Sequence, residues 1–183
     1  MPISALPEAT VRLLGSPLVI TTPVSVVKEL VENAIDARAT SIEVLVSRNT
    51  VDKIQVRDNG DGIASCDYDC LGRRGRTSKL RSFEEIRLVG GTSFGFRGEA
   101  LASANALGMI TITTRTSTDP VATKLHLAPG VGGVTNQERT SAPVGTTVSV
   151  KDIFASLPVR KKIATKEAPK TISRSVMELL SPA

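Results

Sequence analysis

The stretch Val24–Ala37, with the sequence VSVVKELVENAIDA, predicts the helix around which the other elements are arranged. Pro23 precedes it, and proline is favoured in the first turn of a helix. Apolar residues recur at the three- and four-residue spacing of one helical face, namely Val27, Leu30, Val31, Ala34 and Ile35. We therefore expect an amphipathic helix with its apolar side against a core.

Alternating residues after this helix predict two paired strands. Ile42, Val44 and Val46 alternate with other residues, and the same period returns at Ile54 and Val56. Later segments predict a helix at Leu101–Leu107 and strands at Met109–Arg115, Ala122–Leu127 and Thr146–Asp152. Two segments are rich in glycine. Gly72–Gly98 is expected to be a mobile lid that contains a short helix at Ser82–Leu88, and Pro129–Pro143 is expected to be a connection between strands.

These elements predict an α+β fold, a two-layer sandwich with helices on one face of a mixed, mostly antiparallel sheet. Helices fall between groups of strands, and no regular βαβ alternation is present. The 183 residues suffice for one domain, which we place at residues 1–158. Residues 159–183 are a basic segment, explained equally well as a solvated helix end or as a phosphate-binding or localisation signal.

Composition excludes several classes of protein. Aromatic residues make up 3% of the chain and Trp is absent, so a base-stacking protein for single-stranded nucleic acid is not expected. The formal net charge of +5 gives weak support for a polyanionic partner.

No apolar run has the length of a membrane span and no secretory signal is recognisable, so we expect a protein that stays inside the cell, with no membrane partner. Cys66 and Cys70, with the single His126, lack the ligands for zinc and are expected to be reduced thiols.

Three polar residues of the predicted helix are the first candidate site. Glu29, Asn33 and Asp36 are spaced by four and three residues and therefore share one helical face. A polar stripe of this kind is more often the solvated side of an amphipathic helix. The assignment of a function to it depends on the two sites that follow.

Asp58 is the second candidate site, because it ends a strand and is followed by Asn59-Gly60 and Gly62. A carboxylate only accepts hydrogen bonds, so it favours adenine, which offers an amino group, over guanine, which offers a carbonyl oxygen. A buried acceptor left unpaired costs roughly 1 to 3 kcal/mol. The alternative is a type I′ hairpin turn, which Asn-Gly alone would predict.

Glycines that lead into a helix are the third candidate site. In GFRGEAL, residues 95–101, unpaired backbone N–H groups and the positive end of the helix dipole would attract phosphate. Gly-Lys-Ser/Thr does not occur in the chain, and Gly91, Gly95 and Gly98 lack the dinucleotide spacing. P-loop and Rossmann sites are therefore excluded.

Five segments in this order resemble the ATP-binding boxes of the gyrase, histidine kinase and MutL superfamily: ELVENAIDA (29–37), DNGDGI (58–63), TSK (77–79), GFRGEAL (95–101) and GTT (145–147). GFRGEAL resembles MutL mismatch-repair proteins in particular. LPEATVRLL (6–14) and LPVRKK (157–162) look most like the postmeiotic-segregation branch of eukaryotic MutL homologues. The resemblance covers essentially the whole chain and implies a Bergerat-type ATP-binding fold.

The resemblance implies a catalytic and metal-binding role for the first box. Glu29 matches the general base that activates the water attacking the γ-phosphate, and Asn33 matches the Mg²⁺ ligand. An amide oxygen with phosphate oxygens and waters suits magnesium, which prefers hard oxygen donors. Asp36 would support the metal's water shell, and Ala37 closes the box.

The other boxes are implied to hold the base and the phosphates. Asp58 matches the adenine-reading carboxylate, Gly62 lets the ring approach, and Thr146 matches a hydroxyl that bonds in the same adenine corner. The residues that would wrap the phosphates are Thr77, Ser78, Lys79, Gly95, Phe96, Arg97, Gly98, Glu99, Ala100 and Leu101.

The implied function is that of an ATP-binding N-terminal domain of a DNA mismatch-repair protein, with ATP and Mg²⁺ as cofactors and ATP as a conformational and dimerisation switch. The implied partners are a second MutL-type subunit in a heterodimer, double-stranded DNA bound weakly without sequence preference, and a mismatch-sensor protein, all in the nucleus. Family members place a γ-phosphate-contacting lysine in a following domain, so we expect hydrolysis by this chain to be slow or undetectable. The alternative is a nucleotide-binding, non-hydrolysing scaffold or DNA-contact module.

Overall fold

The computed structural model describes residues 20–75 and 99–166 of the chain. Within these ranges six strands form one sheet, and two helices pack against it. The elements in chain order are α1 (Pro23–Asp36), β1 (Ile42–Val46), β2 (Lys53–Asp58), a 3₁₀ helix (Ser65–Cys70), α2 (Ala100–Leu107), β3 (Met109–Arg115), β4 (Ala122–Leu127), β5 (Val134–Thr140), β6 (Gly145–Lys151) and α3 (Pro158–Ala164).

The strand order is β1-β2-β6-β3-β4-β5, and each neighbouring pair of described strands is antiparallel. The expected α+β sandwich is confirmed, with an antiparallel rather than a mixed sheet in the described part. β6 lies between β2 and β3, so Asp58 faces Thr146 across one pair of strands and Thr146 faces Thr114 across the next. The register therefore brings three polar residues side by side at one end of the sheet.

The helix α1 confirms the expectation from its sequence to within one residue at each end. Thr22 caps it, because the Ser25 N–H donates to Thr22 Oγ1 and the Thr22 N–H donates to Ser25 Oγ, both over 3.3 Å. This reciprocal cap satisfies two backbone donors that a helix start would otherwise leave unpaired.

The core lies between one face of the sheet and the apolar faces of α1 and α2. Val, Ile and Leu fill it, in keeping with the scarcity of aromatic residues. The sheet and the helices contribute Ile54, Val56, Ile110, Ile112, Leu125 and Val150, and Val26, Val27, Leu30, Val31, Ala104 and Leu107.

The strand β5 corrects the expectation that residues 129–143 are only a connection. Val134–Thr140 pairs with β4 along its length, from Ala122 opposite Thr140 to Leu127 opposite Val134. Its five central residues are all exposed, since β5 is an edge strand. With neither face buried there is no hydrophobic alternation, and alternation is the signal by which a strand is recognised in a sequence.

The helix α3 packs against the segment just before β2 and against the beginning of the described chain. The Thr50 hydroxyl donates to the Ala164 carbonyl oxygen over 3.1 Å, and Thr50 is fully buried. Arg160 donates to the Ile20 carbonyl oxygen over 3.3 Å, and its guanidinium lies 5.9 Å from the centre of the Phe154 ring. The first turns of the basic segment thus belong to the packed body, while the domain boundary at residue 158 stays a prediction.

Several expectations fall on other parts of the chain. The helix expected at residues 82–88 and the lid expected beyond residue 75 lie outside the described residues, as does the basic segment beyond residue 166. Among the described helices, none has both the length and the apolar character needed to cross a lipid bilayer.

Candidate functional site

The polar face of α1 forms one wall of the site. Glu29, Asn33 and Asp36 are each partly buried and each takes part in at least one interaction. The opposite side of the helix is buried in the core, at Val26, Val27, Leu30, Val31 and Ala34. The stripe is therefore not the fully solvated side of the helix.

Asp58 lies at the end of β2 with its carboxylate held by two backbone groups. The Gly60 N–H donates to Asp58 Oδ1 over 2.8 Å, and the Thr146 N–H donates to the same oxygen over 3.2 Å. Burial raises the pKa of this carboxyl above its ordinary value, and the two hydrogen bonds oppose that shift in part. Since both donors use Oδ1, no residue of the described chain donates to Oδ2, which leaves this oxygen for another donor.

The loop that follows Asp58 brings backbone against backbone, with no room for side chains. The Asp61 N–H donates to the Ala37 carbonyl oxygen over 2.9 Å. A Cβ atom placed on Gly60 would lie 2.5 Å from that same oxygen, and one on Gly62 would overlap the carbonyl group of Arg115. Gly62 also has φ of +76°, a conformation that favours glycine. The C-terminal end of α1, the end of β2 and the end of β3 therefore meet around this loop.

Asn59 shows why the hairpin alternative is wrong. Its side-chain oxygen accepts the N–H groups of Thr40 and Ser41 over 2.9 and 2.8 Å, and its amide donates to the Thr40 hydroxyl over 2.9 Å. Neither Asn59 nor Gly60 has a positive φ, which a type I′ turn requires at both positions. Asn59 instead ties the segment after α1 to the end of β2.

Two buried threonines follow Asp58 across the sheet, Thr146 on the neighbouring strand and Thr114 on the strand after it. Thr146, on β6, is 8% exposed, and its Oγ1 lies 3.2 Å from Thr114 Oγ1 on β3. Thr146 was expected in the adenine corner, whereas Thr114 was not among the candidates. The sequence signal that could have identified Thr114 is its place in β3: it is a polar residue at a position where the alternation, after Ile110 and Ile112, predicts a buried side chain.

The helix α2 faces α1 and begins at Ala100, after Glu99 and before Leu101, all three partly buried. Among the described residues, no side chain caps its N-terminus. Within the described chain, no side chain therefore competes with an anion for its first N–H groups. The other expected phosphate contacts lie outside the described residues, namely Thr77, Ser78, Lys79, Gly95, Phe96, Arg97 and Gly98.

The candidate residues are ordered along α1. Ala37 contacts the loop beside Asp58, and a rise of 1.5 Å per residue places Asn33 about 6 Å and Glu29 about 12 Å further along the axis. An extended nucleoside triphosphate has the same order, with the base at one end and the terminal phosphate at the other. The site can therefore hold a base at Asp58 and phosphates beside Asn33 and Glu29.

The two cysteines lie apart from this site. Cys66 and Cys70 are exposed free thiols in the 3₁₀ helix. Across the described ranges, no three His, Cys, Asp or Glu residues are grouped so that they could hold a metal ion.

The sequence and the fold match known proteins. A family profile described as "Histidine kinase-, DNA gyrase B-, and HSP90-like ATPase" matches residues 20–141. The chain is 43% identical over 176 residues to PMS1 protein homolog 1 of Homo sapiens, covering 96% of this chain and 19% of that protein. It is 41% identical over 167 residues to the DNA mismatch repair protein MutL of Deinococcus radiodurans, covering 91% of this chain and 30% of that one.

Solved structures agree with these matches. A crystal structure of the N-terminal domain of a DNA repair protein has a TM-score of 0.77 at 36% identity, covering 96% of this chain and 50% of that one. The Aquifex aeolicus MutL ATPase domain complexed with ADP has a TM-score of 0.59 at 31% identity, covering 87% of this chain and 53% of that one. The chain therefore belongs to the histidine kinase-, DNA gyrase B- and HSP90-like ATPases, and within them to the N-terminal ATPase domains of MutL- and PMS1-type mismatch-repair proteins.

Proposed function

We propose that this chain binds ATP as its magnesium complex, with adenine at Asp58 and the phosphates between α1 and the N-terminus of α2. The observation that carries the proposal is Asp58 Oδ2, an oxygen of a partly buried residue that has no donor among the described residues. Adenine's amino group would satisfy it, whereas guanine would bring a second acceptor. The ADP complex of a MutL ATPase domain with the same fold supports a purine nucleotide.

Asn33 is proposed as the magnesium ligand of the chain. Its position on the polar face of α1, between the base-reading end and Glu29, fits an ion that contacts phosphates, and its amide oxygen is a donor that magnesium accepts. The bound ion would neutralise phosphate charge during transfer to water. Asp36, one turn further along α1, would hold the water molecules around it.

Glu29 is proposed as the general base. It lies furthest along α1 from Asp58, which is where the terminal phosphate of an extended ATP would be. A carboxylate there can orient a water molecule and accept its proton.

ATP binding is proposed to act as a conformational switch that promotes pairing with a second MutL-type subunit. A ligand shifts such an equilibrium only through its different affinities for the two states. The names of relatives such as the Deinococcus radiodurans DNA mismatch repair protein MutL support a role in DNA repair. Weak contact to double-stranded DNA, a separate mismatch-sensor partner and a nuclear location are proposed along with it.

Titration of a fluorescent ATP analogue with and without Mg²⁺ tests the proposal. Asn33→Ala is expected to lose the gain in affinity that Mg²⁺ gives the wild type and to keep the Mg²⁺-free affinity. Glu29→Ala is expected to bind the analogue like the wild type and to lose whatever turnover a phosphate-release assay detects. Absence of analogue binding by the wild type, or an unaltered Mg²⁺ effect in Asn33→Ala, would contradict the proposal.

A further inference from the structure

Thr114 connects the loop after β2 to the adenine-facing strand β6, although it reaches neither Asp58 nor the surface. It is 1% exposed, and its hydroxyl oxygen accepts the Ile63 N–H over 2.9 Å. The same oxygen lies 3.2 Å from Thr146 Oγ1 and 3.3 Å from the Gly145 carbonyl oxygen. One hydroxyl group thus contacts three backbone or side-chain groups at the base-reading corner.

The proton of Thr114 has two possible acceptors, since a hydroxyl carries one proton and two lone pairs. If it goes to Gly145, Thr146 must donate its own proton to Thr114 and can then only accept hydrogen bonds from a ligand. If it goes to Thr146, the proton of Thr146 is free to be donated into the site. The choice made by Thr114 therefore decides whether Thr146 is a donor or an acceptor.

The edge of adenine distinguishes these two arrangements. Adenine presents an amino group, which donates, next to ring nitrogen N1, which accepts. Asp58 would supply the acceptor for the amino group. Thr146, whose N–H donates to Asp58 Oδ1 over 3.2 Å, is its cross-strand neighbour, and its hydroxyl is the group proposed to meet N1. A full match to adenine needs that hydroxyl to donate.

We infer that Thr114 is a positioning residue: it donates its proton to Thr146 Oγ1 and thereby keeps the Thr146 hydroxyl as a donor to adenine N1. This inference rests on the proposed ATP site and adds a second determinant of base specificity to Asp58. Guanine has the reverse order, a carbonyl oxygen next to an N–H, and mismatches both determinants.

The test compares ATP with 1-deaza-ATP, in which a C–H replaces N1, on the 183-residue chain. The wild type is expected to bind 1-deaza-ATP roughly fivefold more weakly than ATP, the effect of one hydrogen bond of ordinary strength. Thr114→Val removes the hydroxyl at nearly constant shape. The Thr146 hydroxyl is then no longer held in the orientation that donates to N1, so the ratio of the two affinities should fall towards one. Thr114→Ser keeps the hydroxyl and should restore the wild-type ratio.

The affinity ratio separates positioning from a general structural role. A merely structural Thr114 would weaken both nucleotides equally in the valine variant and leave the ratio unchanged, which would overturn the inference. Equal binding of both nucleotides by the wild type would overturn it too, even if Thr114→Val does not fold. If the wild type binds ATP in either case, the proposed function stands; if it binds no ATP, the proposed function itself fails.

Discussion

At the scale of single residues, Asp58 is a charged group that the fold does not need. Burial raises the pKa of its carboxyl above the ordinary value of 3.8, which means that ionising this group costs more in the folded protein than in the unfolded chain. Its two hydrogen bonds come from backbone N–H groups and end on one oxygen, which an asparagine side chain could also supply. Shifted carboxyls of this kind are frequent at functional sites.

Asp58→Asn is therefore expected to separate binding from stability. The amide oxygen can keep both hydrogen bonds while the amino group confronts the amino group of adenine, so the affinity for an ATP analogue should fall roughly 5- to 150-fold. The melting temperature at neutral pH should not fall, because the buried charge is gone. Fluorescence titration and thermal unfolding measure the two effects.

The control is Asp52→Asn, an exposed position next to the other end of β2, which should change neither quantity. Unchanged analogue affinity in Asp58→Asn would remove the adenine assignment.

The raised pKa of Asp58 also predicts how binding depends on pH. The ionised carboxylate is the form that accepts the amino group, so affinity should be full above the raised pKa and fall as the pH decreases through it. Stability has the opposite sign, because the contribution of Asp58 to the free energy of unfolding decreases as the pH rises from below 3.8 through the raised pKa. Analogue titrations from neutral pH downwards check this, and a loss of affinity that also occurs in Asp58→Asn would assign the pH effect to another group.

The sequence was sufficient to find Asp58 but not Thr114. A carboxylate at a strand end before Asn-Gly is a local signal, and so is the helical spacing of Glu29 and Asn33. Thr114 acquires its role from contact with Thr146, which is 32 positions away. That contact depends on the pairing of β3 with β6, which residue spacing does not determine.

At the scale of elements, the site is held by contact between the ends of α1, β2 and β3. The contacts are made by backbone atoms around Gly60 and Gly62. The strand and helix segments that periodicity predicts within the described ranges are confirmed. The alternation in β1 and β3, for example, corresponds to a more buried and a more exposed face. β5 was missed because its central side chains are polar and exposed. They contact β4 through Glu138, which accepts from Lys124 over 3.0 Å and lies 3.1 Å from His126 Nε2, and such contacts leave no apolar alternation in the sequence.

Gly62→Ala is expected to lower stability more than Gly75→Ala does. Both glycines have positive φ, +76° and +67°, and alanine in this conformation costs about 1–2 kcal/mol. A Cβ atom on Gly62 also overlaps the carbonyl group of Arg115, whereas one on Gly75 meets nothing within 4 Å. Urea unfolding of the two variants measures the difference. Equal decreases in the free energy of unfolding would show that β3 shifts to make room for the added methyl group.

At the scale of the whole molecule, the basic residues of α3 divide into two kinds. Arg160 is engaged with Ile20 and Phe154 and contributes to packing. Lys162 is exposed and Lys161 partly so, with no ion pair to either of them within the described chain. Only the lysines are well placed to meet a polyanion.

Replacing Lys161 and Lys162 together with Ala is expected to weaken binding to double-stranded DNA and to make its salt dependence shallower. Each phosphate that is no longer neutralised reduces the slope of log K against log salt by about 0.9. Filter binding over a salt series measures the slope, and the melting temperature should stay that of the wild type. An unaltered slope would show that the basic segment does not contact DNA.

The capped helix α1 joins two distant corners of the molecule. It begins three residues after Ile20, which Arg160 of α3 holds, and it ends against the loop beside Asp58. Its 14 residues form a continuous rod about 21 Å long. A tilt of α1 at its end beside Asp58 therefore also displaces Ile20 at its other end, because no break in the helix lies between them.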